Sequence, residues 1–147
     1  VYKPLFDEFV TSSNTLRVYK DGELIFTSEK ERLLPLIEYL KKYGSCHHDV
    51  VIFDKILGRA AALLCIKAHC REVYSPLGSR LAADVLGKRG IKYYFTRTVP
   101  CIQKPDQTGM CPMEALSIGK EPEEFYELII SRQAVVHAET NTEVTER

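Results

Sequence analysis

The chain has 147 residues, enough for one domain with a single core and short for two. Apolar residues make up 45% and charged residues 27%, globular values that argue against a disordered or membrane-embedded chain. The 20 Lys and Arg cancel the 20 Asp and Glu, so the body is not basic enough for non-specific binding to polymeric nucleic acid. Even so, residues 46–111 carry 10 positive against 5 negative charges, and residues 112–147 carry 3 against 8.

In chain order, residues 4–11 predict a short helix with Leu5, Phe6 and Phe9 on one side. Thr15–Lys20 alternates as a strand, Asp21-Gly22 is a hairpin turn signal, and Leu24–Thr27 returns antiparallel. Arg32–Tyr43 follows as a helix, with Leu33, Leu36, Ile37 and Leu40 at helical spacing and Gly44 at the stop. Val50–Phe53 is a short buried run suited to a strand. Lys55–Ala68, apolar nearly all round, predicts a central buried helix capped by Asp54. Glu72–Ser75 then predicts a strand, Ser79–Gly87 a helix and Ile91–Thr98 a strand. Helix signals return after the loop Pro100–Met110, at Pro112–Ile118 and at Pro122–Arg132. A hairpin followed by βαβα units implies a mixed sheet covered by helices, a three-layer α/β/α sandwich. The expectation is one domain over residues 1–132 and a polar, partly ordered tail over 133–147.

Five cysteines, Cys46, Cys65, Cys70, Cys101 and Cys111, are an odd number with no C-x-x-C spacing, and no signal-peptide pattern opens the chain. They read as reduced thiols of a cytoplasmic protein. The longest apolar stretch, Ile56–Cys70, is broken by Arg59 and Lys67 and falls short of the ~20 residues that span a bilayer.

Several constellations carry chemistry. His137-Ala138-Glu139 has the H-x-E order of nucleobase deaminases, but no P-C-x-x-C follows it, so a metal there lacks ligands. In Thr108–Glu114, Pro112 suits the first position of a helix. That makes Cys111 the N-cap and Glu114 the third residue, a capping-box spacing. A thiol there feels the positive end of the helix dipole, which suits a nucleophile, and the same residue equally serves as a plain cap. In Asp54–Ala62, Gly58 and three alanines leave a shallow helix surface, and Lys55 and Arg59, four apart, share a face. Pro76-Leu77-Gly78-Ser79-Arg80 turns from strand to helix, where Gly78 and Ser79 expose N–H groups and Arg80 adds charge. His47-His48 reads as part of a solvated loop.

With the hairpin, D-K-x-x-G-x-A-A-A at Asp54–Ala62, S-P-L-G at Ser75–Gly78 and T-G-M-C-P-M-E at Thr108–Glu114, the chain resembles the bacterial family DUF1893 up to about Arg132. The resemblance implies a cytidine deaminase-like fold and no established activity. In true deaminases H-x-E opens the central helix and P-C-x-x-C the next. Here Asp54, Lys55 and their neighbours stand at the first place, while Leu77 and Arg80 replace the two thiols after Pro76. No zinc, no other cofactor and no hydrolytic deamination are therefore expected.

The resemblance implies that both helix starts face one cleft. Lys55, Gly58, Arg59, Pro76, Gly78, Ser79, Arg80 and Gly109 are the expected binding residues for a nucleotide-like or phosphorylated small molecule. The alternatives are an enzyme with Cys111 as nucleophile and Asp54 or Glu114 moving protons, and a regulatory or structural interaction domain that uses the sheet edge or the acidic C-terminal helix. A homo-oligomer is compatible with each of them.

Overall fold

The computed structural model describes residues 2–44 and 46–132. The expectations for His137-Ala138-Glu139 and for the tail over 133–147 lie outside the described residues. The elements run α1 (Lys3–Thr11), β1 (Leu16–Lys20), β2 (Glu23–Ser28), α2 (Leu34–Tyr43), β3 (Val50–Asp54), β4 (Ile56–Leu57), α3 (Arg59–Lys67), β5 (Cys70–Ser79), α4 (Arg80–Lys88), β6 (Lys92–Val99) and α5 (Pro112–Ser117). A sixth helix, α6, covers residues 122–132.

The strands form one six-stranded mixed sheet in the order β2-β1-β3-β5, with β4 and β6 also pairing with β5. β1 is antiparallel to β2 and to β3, whereas β3, β4 and β6 all run parallel to β5. The β1–β2 turn places Asp21 and Gly22 at φ 52° and 83°, the left-handed backbone that an Asp-Gly pair accepts readily.

Alternation along the strands sorts the core into two sets. Leu16 and Val18 of β1, Val50 and Ile52 of β3 and Val73 of β5 pack with the buried side chains of α2, α3, α4 and α6. Tyr19, Val51 and Phe53 pack instead with Tyr2, Phe6 and Phe9 of the α1 region, and Tyr74 joins them. Phe53 is the hub of this second set, with the rings of Phe6, Phe9, Tyr19 and Tyr74 centred 5.0–5.6 Å away.

Two expected elements differ. The central helix starts at Arg59 with Gly58 as N-cap, so Asp54 ends β3 instead of capping a helix. The intervening chain stays extended because Ile56 and Leu57 pair with Leu77 and Gly78. The expected strand over 72–75 is a ten-residue β5 that absorbs Ser75–Gly78, so no turn precedes α4. Pro76, which has no N–H to give, is skipped in the β5–β6 ladder: Ser75 pairs with Phe95 and Leu77 with Arg97. The histidine loop is solvent-exposed at Cys46, His48 and Asp49, and the centre of the His48 ring lies 4.4 Å from that of the exposed His69. Among the described residues, no helix is long and apolar enough to cross a membrane.

Candidate functional site

The C-terminal end of β3, the end of β5, the starts of α3 and α4 and the start of α5 carry most of the buried polarity. Asp54, Ser75, Ser79, Glu114 and Ser117 are five of the six buried polar or charged residues among those described, Arg17 being the sixth. Burying a polar group is costly unless it is hydrogen-bonded, so the partners of each residue decide its role.

Glu114 is 2% exposed. Its Oε1 accepts from the Arg59 backbone N–H at 2.5 Å and its Oε2 from the Ile102 N–H at 2.7 Å. The carboxylate therefore caps α3 from another element, at the N–H groups that an incoming phosphate would use. Gly58 makes this approach possible. A Cβ there would stand 2.8 Å from Glu114 Oε1 and 2.9 Å from Ile102 Cγ1.

The Arg59 guanidinium reaches back in return, donating to the carbonyls of Ser117 and, at 3.3 Å, of Lys120. A cation at the C-terminal end of a helix satisfies its orphan carbonyls and its dipole. So α3 and α5 cap each other, and the anion-binding positions expected at Gly58 and Arg59 are occupied from within the chain.

The remaining expected residues divide as follows. Lys55 does not share a face with Arg59. Its amine donates to the Ser12 carbonyl at 2.7 Å and lies 4.8 Å from the centre of the Phe9 ring, on the α1 side of the sheet. Gly78 is buried beneath Phe95, whose ring a Cβ would overlap, so its function is close packing. Ser79 spends its hydroxyl on the Ala82 N–H at 3.0 Å, capping α4. Arg80 follows, exposed at the first position of α4, with no ion pair among the described residues. Gly109 accepts from the Lys104 N–H at 2.9 Å, within the loop that bridges Gln103 to Met110. Pro76 is half-buried in β5.

Asp54 is 7% exposed, and burial pushes its carboxyl up to about 8, against the opposing pull of the Ile56 and Lys55 N–H groups. Cys111 is the N-cap of α5, as expected, but its side chain makes no capping bond and the helix has only six residues. Its N–H donates to the Ile102 carbonyl, so Glu114 does not close a capping box onto it. Of the two acids expected to move protons, Glu114 is held on backbone amides, whereas Asp54 is a buried carboxyl whose protonated form burial favours.

The family model described as a domain of unknown function, DUF1893, matches residues 7–134. The chain belongs to this family. A solved structure of a DUF1893 family protein (TM1506) from Thermotoga maritima is 25% identical to it. That structure covers 88% of this chain and 85% of its own, with a TM-score of 0.77. No curated protein matches the sequence.

The DUF1893 match spans every expected site residue. Within it, the structure brings together Gly58, Arg59 and Glu114, leaves Arg80 exposed at the start of α4, and engages Lys55 with Ser12 and Gly109 with Lys104. Sequence reasoning missed the Ile102 N–H as Glu114's second donor. It also missed how open β6 lies: Tyr93 and Tyr94 are 44% and 42% exposed. The sequence signal for β6 is its tyrosine pair, followed by Thr96-Arg97-Thr98, which is too polar for a strand covered on both faces.

Proposed function

We propose that this DUF1893 chain is a protein-interaction domain that works through one edge of its sheet, the strand β6. It is built on a cytidine deaminase-like, three-layer α/β/α sandwich whose ancestral cleft has been filled with structural contacts. Packing of α1 on one side of the sheet and of α2, α3, α4 and α6 on the other supports the layered reading.

The zinc that nucleobase deaminases use does not fit the residues here. Leu77 and Arg80 offer it no donor, and burial favours the protonated form of the Asp54 carboxyl, which is a poor metal ligand. An enzyme using Cys111 needs a base, but Glu114 is committed to the Arg59 and Ile102 N–H groups, and burial raises the Asp54 carboxyl to about 8, which favours its protonated form at pH 7. A phosphate at the start of α3 would have to displace Glu114. The observation that carries the reading is β6, an eight-residue edge strand whose residues from Lys92 to Tyr94 and from Thr96 to Thr98 are exposed. A phosphorylated small molecule is the second reading, favoured by the exposed guanidinium of Arg80 beside Ser79.

Two measurements separate these readings. A photoreactive phenylalanine analogue is introduced at Tyr93 or at Arg80 in cells expressing the full chain, and the purified chain is screened by thermal shift against nucleotides and inorganic phosphate. The interaction reading expects polypeptide cross-links from position 93 and no ligand-induced shift. A shift of several degrees that is lost in Arg80→Ala, without cross-links at 93, establishes the second reading instead.

A further inference from the structure

Resting on the interaction reading above, we infer that the partner of β6 is a second copy of this chain. The two β6 strands join antiparallel about a two-fold axis, so that one sheet runs continuously through both copies. Among the described residues, β6 pairs only with β5, through a parallel ladder from Glu72–Lys92 to Ser79–Val99. Its outer edge presents a row of backbone N–H and C=O groups along eight residues, Lys-Tyr-Tyr-Phe-Thr-Arg-Thr-Val, with no proline or glycine and with charge only at Lys92 and Arg97.

The charge pattern of β6 is compatible with itself. In an antiparallel pair, opposed residues share a face of the sheet, so a two-fold axis must pass through a residue and not between two. Two central registers satisfy this. With the axis at Phe95, Tyr93 faces Arg97, Tyr94 faces Thr96 and Lys92 faces Thr98. With the axis at Thr96, Phe95 faces Arg97, Tyr94 faces Thr98 and Tyr93 faces Val99. In both registers the guanidinium of Arg97 stands across from an aromatic ring, and neither Lys92 nor Arg97 meets a like charge.

The side chains on both faces leave room for a partner. The Tyr94 ring is centred 5.8 Å from that of Phe6 and 6.2 Å from that of Tyr74, and Tyr93 leans on Phe95 of its own strand. Cross-strand aromatic and cation–aromatic pairs are the contacts such residues make once the edge is extended.

The test is sedimentation equilibrium of the full chain over a concentration series, for the native sequence and for Thr96→Lys, with amide hydrogen exchange of β6 at low and high concentration. Lysine is well tolerated on a free edge, so the variant should fold with an unchanged melting midpoint at dilution. Across the two-fold it opposes its own copy in one register and stands a diagonal step of about 7–8 Å from it in the other. The expected result is a dimer whose dissociation constant rises at least tenfold in Thr96→Lys, with β6 amides slowed as concentration rises. The exchange result needs no variant and decides the matter if Thr96→Lys fails to fold. A chain monomeric at every concentration, a dimer indifferent to Thr96→Lys, or β6 protection independent of concentration overturns the inference. A monomer that still cross-links from position 93 to a different polypeptide overturns only the second-copy inference, whereas no dimer and no cross-link at 93 overturn the interaction reading as well.

Discussion

Removing the Glu114 carboxylate tests the mutual capping of α3 and α5 directly. Glu114→Ala strips the acceptor from two buried N–H groups, on Arg59 and Ile102, at about 1–3 kcal/mol each. Loss of a negative charge at a helix start adds about 0.3–1 kcal/mol, so a total of about 2–7 kcal/mol is expected. Glu114→Gln keeps one acceptor oxygen and turns an NH2 toward the other donor, and should cost roughly half of that. Gly58→Ala supplies the control. Gly58 has φ −88° and ψ −177°, a backbone that any residue adopts, so its cost is purely steric, about 1–3 kcal/mol. In a Glu114→Ala background the clash with Oε1 disappears and only the contact with Ile102 Cγ1 remains, so the two substitutions should be non-additive by about 1 kcal/mol. Urea denaturation at pH 7, with the slopes compared, measures the four variants against the native chain. The reasoning fails if Glu114→Ala costs under ~1 kcal/mol, or if Gly58→Ala costs the same in both backgrounds.

Three further outcomes follow from the same geometry. The Asp54 carboxyl, at about 8 in the fold against an ordinary 3.8, keeps a proton that the unfolded chain releases, so its contribution to stability is greatest below pH 4 and is lost as pH rises towards 8. Between pH 5 and pH 7 this amounts to about 2–3 kcal/mol, and Asp54→Asn should remove that slope from denaturation curves; parallel slopes would refute the assignment. Gly78→Ala drives a methyl into the Phe95 ring and should lower the melting midpoint, with partial recovery in Gly78→Ala/Phe95→Leu; equal midpoints in the single and double variants would mean the ring is not the obstacle. Under native conditions iodoacetamide should modify exposed Cys46 first, then half-buried Cys101 and Cys111. Cys65 and Cys70, buried and with their thiols pushed up by burial, should react only on unfolding. Cys111 outpacing Cys46 in peptide mapping would revive it as a nucleophile.

The elements were legible where pattern and local chemistry agree. The Asp21-Gly22 hairpin, the Leu36-Ile37-Leu40 face of α2, the short buried run that forms β3 and the helix opened by Pro122 all fall where these sequence signals put them. The misplacements share one cause, a tertiary partner outranking a local signal. Lys55 and Ile56 look like the start of a helix, yet Ile56 is drawn into pairing with Leu77 and the Lys55 amine into contact with Ser12 and Phe9. Gly78 and Ser79 look like a phosphate turn, yet a proline-containing strand runs straight through to them because only one small residue fits under Phe95. The site was legible as a set of residues and illegible as a function. Glu114 and Arg59 were both recognisable, but nothing in their spacing announces that each is the other helix's cap.

The two sides of the sheet are unequally secured, and this bears on how the molecule opens. One side is closed by α2, α3, α4, α5 and α6, the other, among the described residues, by the α1 region, whose Phe6 and Phe9 close over Tyr19, Phe53 and Tyr74. Phe53 and Tyr74 lie more than forty residues further along the chain, so α1 has nothing complete to rest on until β5 is in place. It is therefore among the last pieces to dock and among the first to lift. When it lifts, a raft of aromatic rings faces water while the rest of the sheet still stands, and the partly open chain is stickier than either the native or the fully unfolded one.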